Sequence, residues 1–491
     1  MKLKTLLLHF LFVNATLSFG QTGIDRIEFD LKGDYENQKV FPLNRTGMLI
    51  QSTASQAKKG QLEVKSEFYD TGFNLLGAES VYIKERTEIL DSYHENGINY
   101  SLIRNKRDYV AIVTSDANNL TVKKIETEYT DEGSLTEMKV YGDKAIFKSV
   151  VHKENKIIII DLKTGATNEV AFKFGDFRKS DIQIEDFQVL DDEILVFVNA
   201  RNSRRSSDLY LASLDLSGVQ KDFYKVTSDI EEKLIEVAAT KAGSKYILTG
   251  TYSKTKSDMS QGIFMGEVEN RKLNFMKFYN FTDLKNFTSY MTEKQQRRIE
   301  RKTENAAERD KELLLNYFIE NHAVKVMDDG YIFLGEAYYP TYVSYSCGSG
   351  AICTRFDGYF YTHALIAKFT KQGDLVWDNS FELKPGYKPM KVKKFVSMNN
   401  DGADIELMFG NLEEVVYKKI GAADGNTIVE DSSEVIDTKL QGDKIKRSFS
   451  EVNHWFDNYF IAYGNQTLSN SEVQRKRKIF FVNKIALNKN N

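Results

Sequence analysis

The chain has 491 residues and a net charge of −3, from 67 basic and 70 acidic side chains, a balance that argues against nucleic acid as a partner. Hydrophobic residues make up 41% and aromatics 12%, which excludes an intrinsically disordered chain. Only four prolines and two cysteines occur, and no low-complexity linker divides the sequence.

Met1-Lys2-Leu3-Lys4 is basic, Thr5 to Leu17 is apolar, and Ser18-Phe19-Gly20 offers a small-residue exit before Gln21. That pattern predicts a secretory signal peptide over residues 1–20, too short for a membrane span. No cysteine follows the exit, which argues against a lipid anchor. No later stretch reaches the ~18 apolar residues of a transmembrane helix. The expectation is an exported protein, periplasmic in a Gram-negative cell, with residues 21–491 as a single domain.

Strand-like runs then recur. Tyr109-Val110-Ala111-Ile112-Val113 is one, and Ile194-Leu195-Val196-Phe197 with Leu209 to Leu214 is another. Tyr246 to Tyr252 is followed by Gly262 to Val268. A clearer unit runs Gly330 to Gly335, Ala364 to Phe369, a turn at Lys371-Gln372-Gly373-Asp374, then Leu375-Val376-Trp377-Asp378. Tyr459 to Gly464 with Ile479 to Ile485 closes the series. A repeat of roughly 45–60 residues built from short strands predicts an all-β fold, a β-propeller of seven or eight blades, with a β-sandwich array as the competitor. The apolar run Lys156-Ile157-Ile158-Ile159-Ile160 suits a strand covered on both faces.

Two segments break that rhythm. Thr292 to about Phe318 has no Gly or Pro, and Thr292 with Gln295 fits a capping box, so a helix of about seven turns is expected within an insertion at about 289–318. Its basic residues include Arg297, Arg298 and Arg301, interleaved with acids from Glu293 to Glu312. Next, Cys347 and Cys353 flank Gly348-Ser349-Gly350-Ala351-Ile352 between two aromatic-rich strands, predicting a protruding hairpin at about 336–363 with a disulfide across its tip. Closing so short a loop stabilises by about 2.4 kcal/mol.

The strings Gly335-Glu336-Ala337-Tyr338-Tyr339-Pro340-Thr341-Tyr342, Phe356-Asp357-Gly358-Tyr359 with Tyr361-Thr362-His363-Ala364, and Leu375 to Phe381 resemble a family of exported propeller-like proteins. Its members occur in Gram-negative bacteria with a type 9 secretion system. The helix beginning Glu293-Lys294-Gln295-Gln296-Arg297 precedes the same strings in those relatives, and the resemblance covers about residues 283–385. It implies kinship with the plug subunit that closes the periplasmic opening of the type 9 translocon. The C-terminal segment does not resemble a type 9 sorting domain, which points to a periplasmic resident.

Catalytic signatures are sparse. None of His94, His152, His322, His363 and His454 is paired at helical metal-site spacing, and no nucleophile elbow or phosphate loop occurs. Asp328-Asp329-Gly330 and Asn399-Asn400-Asp401-Gly402 read as hairpin turns, and His363 as a packed core histidine. The reading is a non-catalytic interaction propeller without cofactor or metal, whose protein partner is an outer-membrane channel or envelope complex. Tyr338, Tyr339, Tyr342, Tyr345, Phe356 and Tyr359, with Arg297, Arg298 and Arg301, are the partner-binding candidates, because Tyr and Arg supply many interface hot spots. The alternative is a small-molecule or glycan-binding propeller, or a hydrolase, that uses the central funnel.

Overall fold

Short strands and tight turns dictate the architecture. Asp161 shows the turn chemistry: its carboxylate accepts the N–H groups of Lys163 and Thr164 at 2.9 and 2.8 Å, and Gly165 follows in the left-handed region. Asp215 accepts the N–H groups of Ser217 and Val219 in the same way. Among the described residues, such turns fold successive strands into eight antiparallel sheets, seven of four strands and one of five. A computed structural model describes residues 21–487 except 32, 106–108, 131–132, 171, 173–176, 191, 202–206, 227–229, 256, 349–350, 401 and 437. The expected signal peptide lies outside the described residues.

The sheets are the blades of an eight-bladed propeller, which settles the blade number. The first strands of blades 1 to 7 are Tyr35–Pro42, Thr87–Glu95, Ser134–Tyr141, Ile182–Leu190, Lys233–Ala242, Phe318–Asn321 and Ser397–Asn400. Blade 8 is Lys444–Phe456, Tyr459–Asn470 and Gln474–Leu487, and its fourth strand is Gln21–Asp30, which returns to close the ring. Among the described residues, the first strand thereby pairs with the last.

Eight hydrophobic clusters fill the eight gaps between neighbouring blades. The isoleucine run explains itself in these terms. Ile158 and Ile160 pack toward blade 2 while Ile157 and Ile159 pack toward blade 4, so strand alternation serves two cores at once. Between blades 8 and 1, Trp455 is 1% exposed and donates its indole N–H to the Gly47 carbonyl at 2.7 Å.

First strands also touch one another around the axis. Asp91 accepts the Met138 N–H at 2.7 Å, and Asp186 accepts the Ala239 N–H at 2.9 Å. We call top the side that carries the connections between blades and the loops joining second to third strands.

The insertion between blades 5 and 6 is less helical than its sequence suggests. The helix, α1, spans Glu293–Ala307, about four turns in place of seven. Thr292 caps it, and Gln295 Oε1 accepts the Thr292 N–H at 3.0 Å, as the capping box requires. Asp310 then turns left-handed, Glu312 is tied to Lys254 and Asn280, and Tyr317 pairs with Ser260 through two backbone bonds. These tertiary ties draw Leu313 to Leu315 out of the helical path. No helix among the described residues is long and apolar enough to cross a membrane.

Candidate functional site

Blade 6 carries the feature that sets it apart. Its second and third strands, Gly330–Ser346 and Ile352–Thr370, pair from Gly330 opposite Thr370 to Ser346 opposite Ile352, with register shifts between Ala337 and Tyr338 and between Pro340 and Tyr342. The neighbouring strands stop early. Phe318–Asn321 pairs only as far as Tyr338, and Leu375–Glu382 only as far as His363. From Tyr339 outward no further strand pairs with either edge, and the two strands form an arm about 26 Å long at ~3.3 Å per residue. Cys347 and Cys353 are disulfide-bonded at its tip, with Cα atoms 5.7 Å apart.

The base is braced by contacts that only particular residues allow. Gly358 has φ +94°, and a Cβ there would lie 2.9 Å from Lys388 Cβ and from the Lys388 and Pro389 carbonyl oxygens. Around it, Tyr359 donates its N–H to Pro389 O at 2.9 Å, Lys388 pairs with Asp357 at 2.8 Å, and Thr341 donates to Gly358 O at 2.8 Å. The arm therefore leaves the blade at a fixed bulge.

The predicted aromatic residues divide into two groups. Tyr338, Phe356 and Tyr359 are half-buried and hold the arm together: Tyr338 stacks on Phe318 at 5.8 Å, Tyr359 meets Tyr338 at 5.4 Å, and Phe356 meets Tyr359 at 5.0 Å. Tyr339, Tyr342 and Tyr345 are 44%, 64% and 48% exposed. Ile352 and Phe360, which the sequence reading did not select, join them at 78% and 40%. Arg297, Arg298 and Arg301 are exposed on α1, where Arg297 reaches Glu293 at 3.3 Å. No residue of this helix is buried.

Arm and insertion share one anchor. His363, fully buried, stacks on Tyr290 at 3.9 Å and meets Phe287 and Tyr317 edge-on. Its Nδ1 lies 3.0 Å from Thr362 Oγ1, and burial pushes the imidazole down to about 3, so it is neutral. Asp378 accepts the N–H groups of Lys285 and Asn286 at 2.9 and 2.6 Å, pinning the start of the insertion. Glu336, fully buried, accepts the N–H groups of Phe395 and Val396 at 2.9 and 2.8 Å and meets His322 Nε2 at 2.8 Å. The distinctive strings of the sequence are thus the framework that presents the arm. Charged residues inside otherwise apolar strands, Glu336 and Asp378, were the available signal.

Carboxylates gather along the axis. A bulge interrupts the first strand of each of blades 1 to 5. Burial is the main cause that pushes Glu185 up to about 7 and Glu236 up to about 8, with like charge from Glu320 second for Glu236. Burial also raises Glu137 and Glu320. Asn321 Nδ2 donates to Glu236 Oε2 at 2.6 Å, and Lys148 pairs with Glu137 at 2.5 Å. Glu185 and Glu236 can therefore hold protons near neutral pH. Among the described residues, no group of three or more His, Cys, Asp or Glu side chains is placed to hold a metal ion.

No family model matches the chain, and no curated protein matches it. Solved structures match in shape, two of them propeller or WD40 domains. The propeller of Dos1 is 9% identical with a TM-score of 0.42 and covers 96% of each chain. The WD40 domain of SCAP from fission yeast is 9% identical with a TM-score of 0.39, covering 92% of this chain and 91% of that one. The polysaccharide lyase Uly1 is 8% identical with a TM-score of 0.41, covering 95% of this chain and all of the other. These likenesses concern the fold alone.

Proposed function

We propose that the protein is a non-catalytic interaction propeller of the bacterial periplasm that docks on a protein partner through the stapled arm. One observation carries this reading: a covalently pinned two-stranded arm exposes Tyr339, Tyr342, Tyr345, Ile352 and Phe360 where no other strand covers them. Exposed aromatic side chains on a rigid support are the usual anchors of a protein interface. The two open edges also offer backbone groups to an added strand. A disulfide is at home in an exported protein. The sequence resemblance makes the outer-membrane channel of type 9 secretion the expected partner.

The test is affinity purification of tagged protein from detergent-solubilised envelopes, beside a variant with residues 343–355 replaced by a short Gly-Ser turn. Recovery of an outer-membrane channel with the intact arm, and its loss with the trimmed one, supports the reading. If both forms are recovered alone, docking through the arm fails. The axial carboxylates favour a second reading, a propeller that binds or hydrolyses a small molecule or glycan in its channel. A ligand whose binding disappears in Glu236→Gln but survives trimming of the arm would select it.

A further inference from the structure

Blade 8 rises above its neighbours on the same top face. Its three long strands have 13, 12 and 14 residues, against eight in each of the two central strands of blade 7. The register fixes what the extension displays. Lys444 lies opposite Ser469, Arg447 opposite Thr467, and Thr467 opposite Lys478. Lys446 is the extra residue of a bulge beside them. Paired residues share a face, so the cations gather around two hydroxyl side chains. Lys446, Arg447, Thr467, Ser469, Lys476 and Lys478 line a shallow cleft of about 650 Å³.

The two faces of this three-stranded extension are treated differently. On one, Leu468 is fully buried and Arg477 is paired with Glu28 at 3.2 Å and Asp443 at 2.6 Å. On the other, Lys444, Lys446, Arg447, Lys476 and Lys478 are exposed, and none has an ion-pair partner among the described residues. Five cations without an ion-pair partner on the first and third strands of one blade stand out in a chain whose net charge is −3.

We propose that this patch binds the phosphate headgroups of an anionic lipid surface. Interface cores between proteins are apolar and poor in lysine, whereas four of these five cations are lysines and no apolar side chain lies among those lining the cleft. Lysine presents a mobile point charge on a long stem, suited to headgroups with no fixed geometry. The turn at the tip carries Glu472 and also Val473, which is 62% exposed and placed to enter the headgroup region. The arm of blade 6, with Ile352 at its tip, projects from the same face because it too joins second and third strands.

Vesicle sedimentation tests this. The protein is mixed with vesicles of about 30 mol % phosphatidylglycerol in phosphatidylcholine, or of phosphatidylcholine alone. The comparison variant is Lys446→Gln/Arg447→Gln/Lys476→Gln/Lys478→Gln, at exposed positions whose loss leaves no partner unpaired. Each cation near an anionic surface changes partitioning about fivefold, so the variant should bind more than a hundredfold more weakly. Binding should also fall as salt rises from about 50 to about 300 mM. Failure of the parent protein to sediment with anionic vesicles overturns the proposal, as does equal sedimentation of parent and variant, or of the parent with both lipid mixtures. Capture of a polyglutamate peptide without vesicle binding would assign the patch to an acidic protein segment instead.

Discussion

Glu236 shows how one side chain sets a pH dependence. Burial, with Glu320 nearby, lifts its carboxyl from the ordinary range to about 8, so the folded protein holds a proton that the unfolded chain releases near its ordinary value of 4.5. A raised acid stabilises the fold in its protonated form. Its contribution is complete below the ordinary value and falls as pH rises toward 8, then stays level. Glu236→Gln removes that slope while keeping an acceptor for Asn321 Nδ2. Thermal melts should therefore find the variant more stable than the parent at pH 9, with the advantage gone at pH 5. An equal difference at both values would mean that Glu236 keeps an ordinary ionisation. Gly358 makes a separate point at this scale. Its φ of +94° and its closeness to Lys388 and Pro389 leave no room for a methyl group. Gly358→Ala should cost about 1–3 kcal/mol at the base of the arm, read by denaturant unfolding.

The arm is an element that cannot stand alone, because an isolated two-stranded hairpin is marginal in water. The disulfide and the bulge at Gly358 hold it from its two ends. Cys347→Ser/Cys353→Ser should speed amide exchange of the paired residues Val343 to Ser346 by about fiftyfold, the factor equivalent to the loop-closure term. The ring should melt within about 2 °C of the parent, since no blade core includes the tip. A loss above about 5 °C would show that the tip supports the ring. Strands, turns and the staple were legible in the sequence because period-two alternation, Gly–Asp turns and cysteine spacing are local signals. The end of α1 was not, because Glu312 and Tyr317 are held by Asn280, Lys254 and Ser260 from another blade. Nor was the division among the tyrosines. Tyr338 and Tyr342 look alike in sequence, and only the early end of Phe318–Asn321 covers one and leaves the other exposed. The axial carboxylates escaped notice for a similar reason: they come from four blades, and burial singles them out among 70 acids.

At the scale of the whole molecule, stability depends on closing a ring of eight weakly coupled sheets. Each blade buries its two faces only against its neighbours, so an open ring exposes two apolar faces at once. Two devices close it. Gln21–Asp30 completes blade 8 by pairing with residues 479–487 of Gln474–Leu487, and Arg26 ties the sheet together through Asn483 at 2.8 Å and Gln466 at 2.7 Å while lying over the Phe481 ring. The second device is the core between blades 8 and 1, where Trp455 stacks on Phe73 and bonds Gly47. The two act on different quantities. Trp455→Ala leaves a cavity and should cost about 3–5 kcal/mol with the transition still cooperative. Deleting residues 21–30 uncovers the edge of Gln474–Leu487, so it should lower Tm by more than about 10 °C and broaden the transition as blades unfold separately. A synthetic peptide of residues 21–30 added in trans should restore both Tm and cooperativity, because the missing strand joins through backbone pairing at an open edge. If the truncated protein melts as sharply as the parent, or the peptide has no effect, the strand only decorates blade 8 and the Trp455 core alone holds the ring shut.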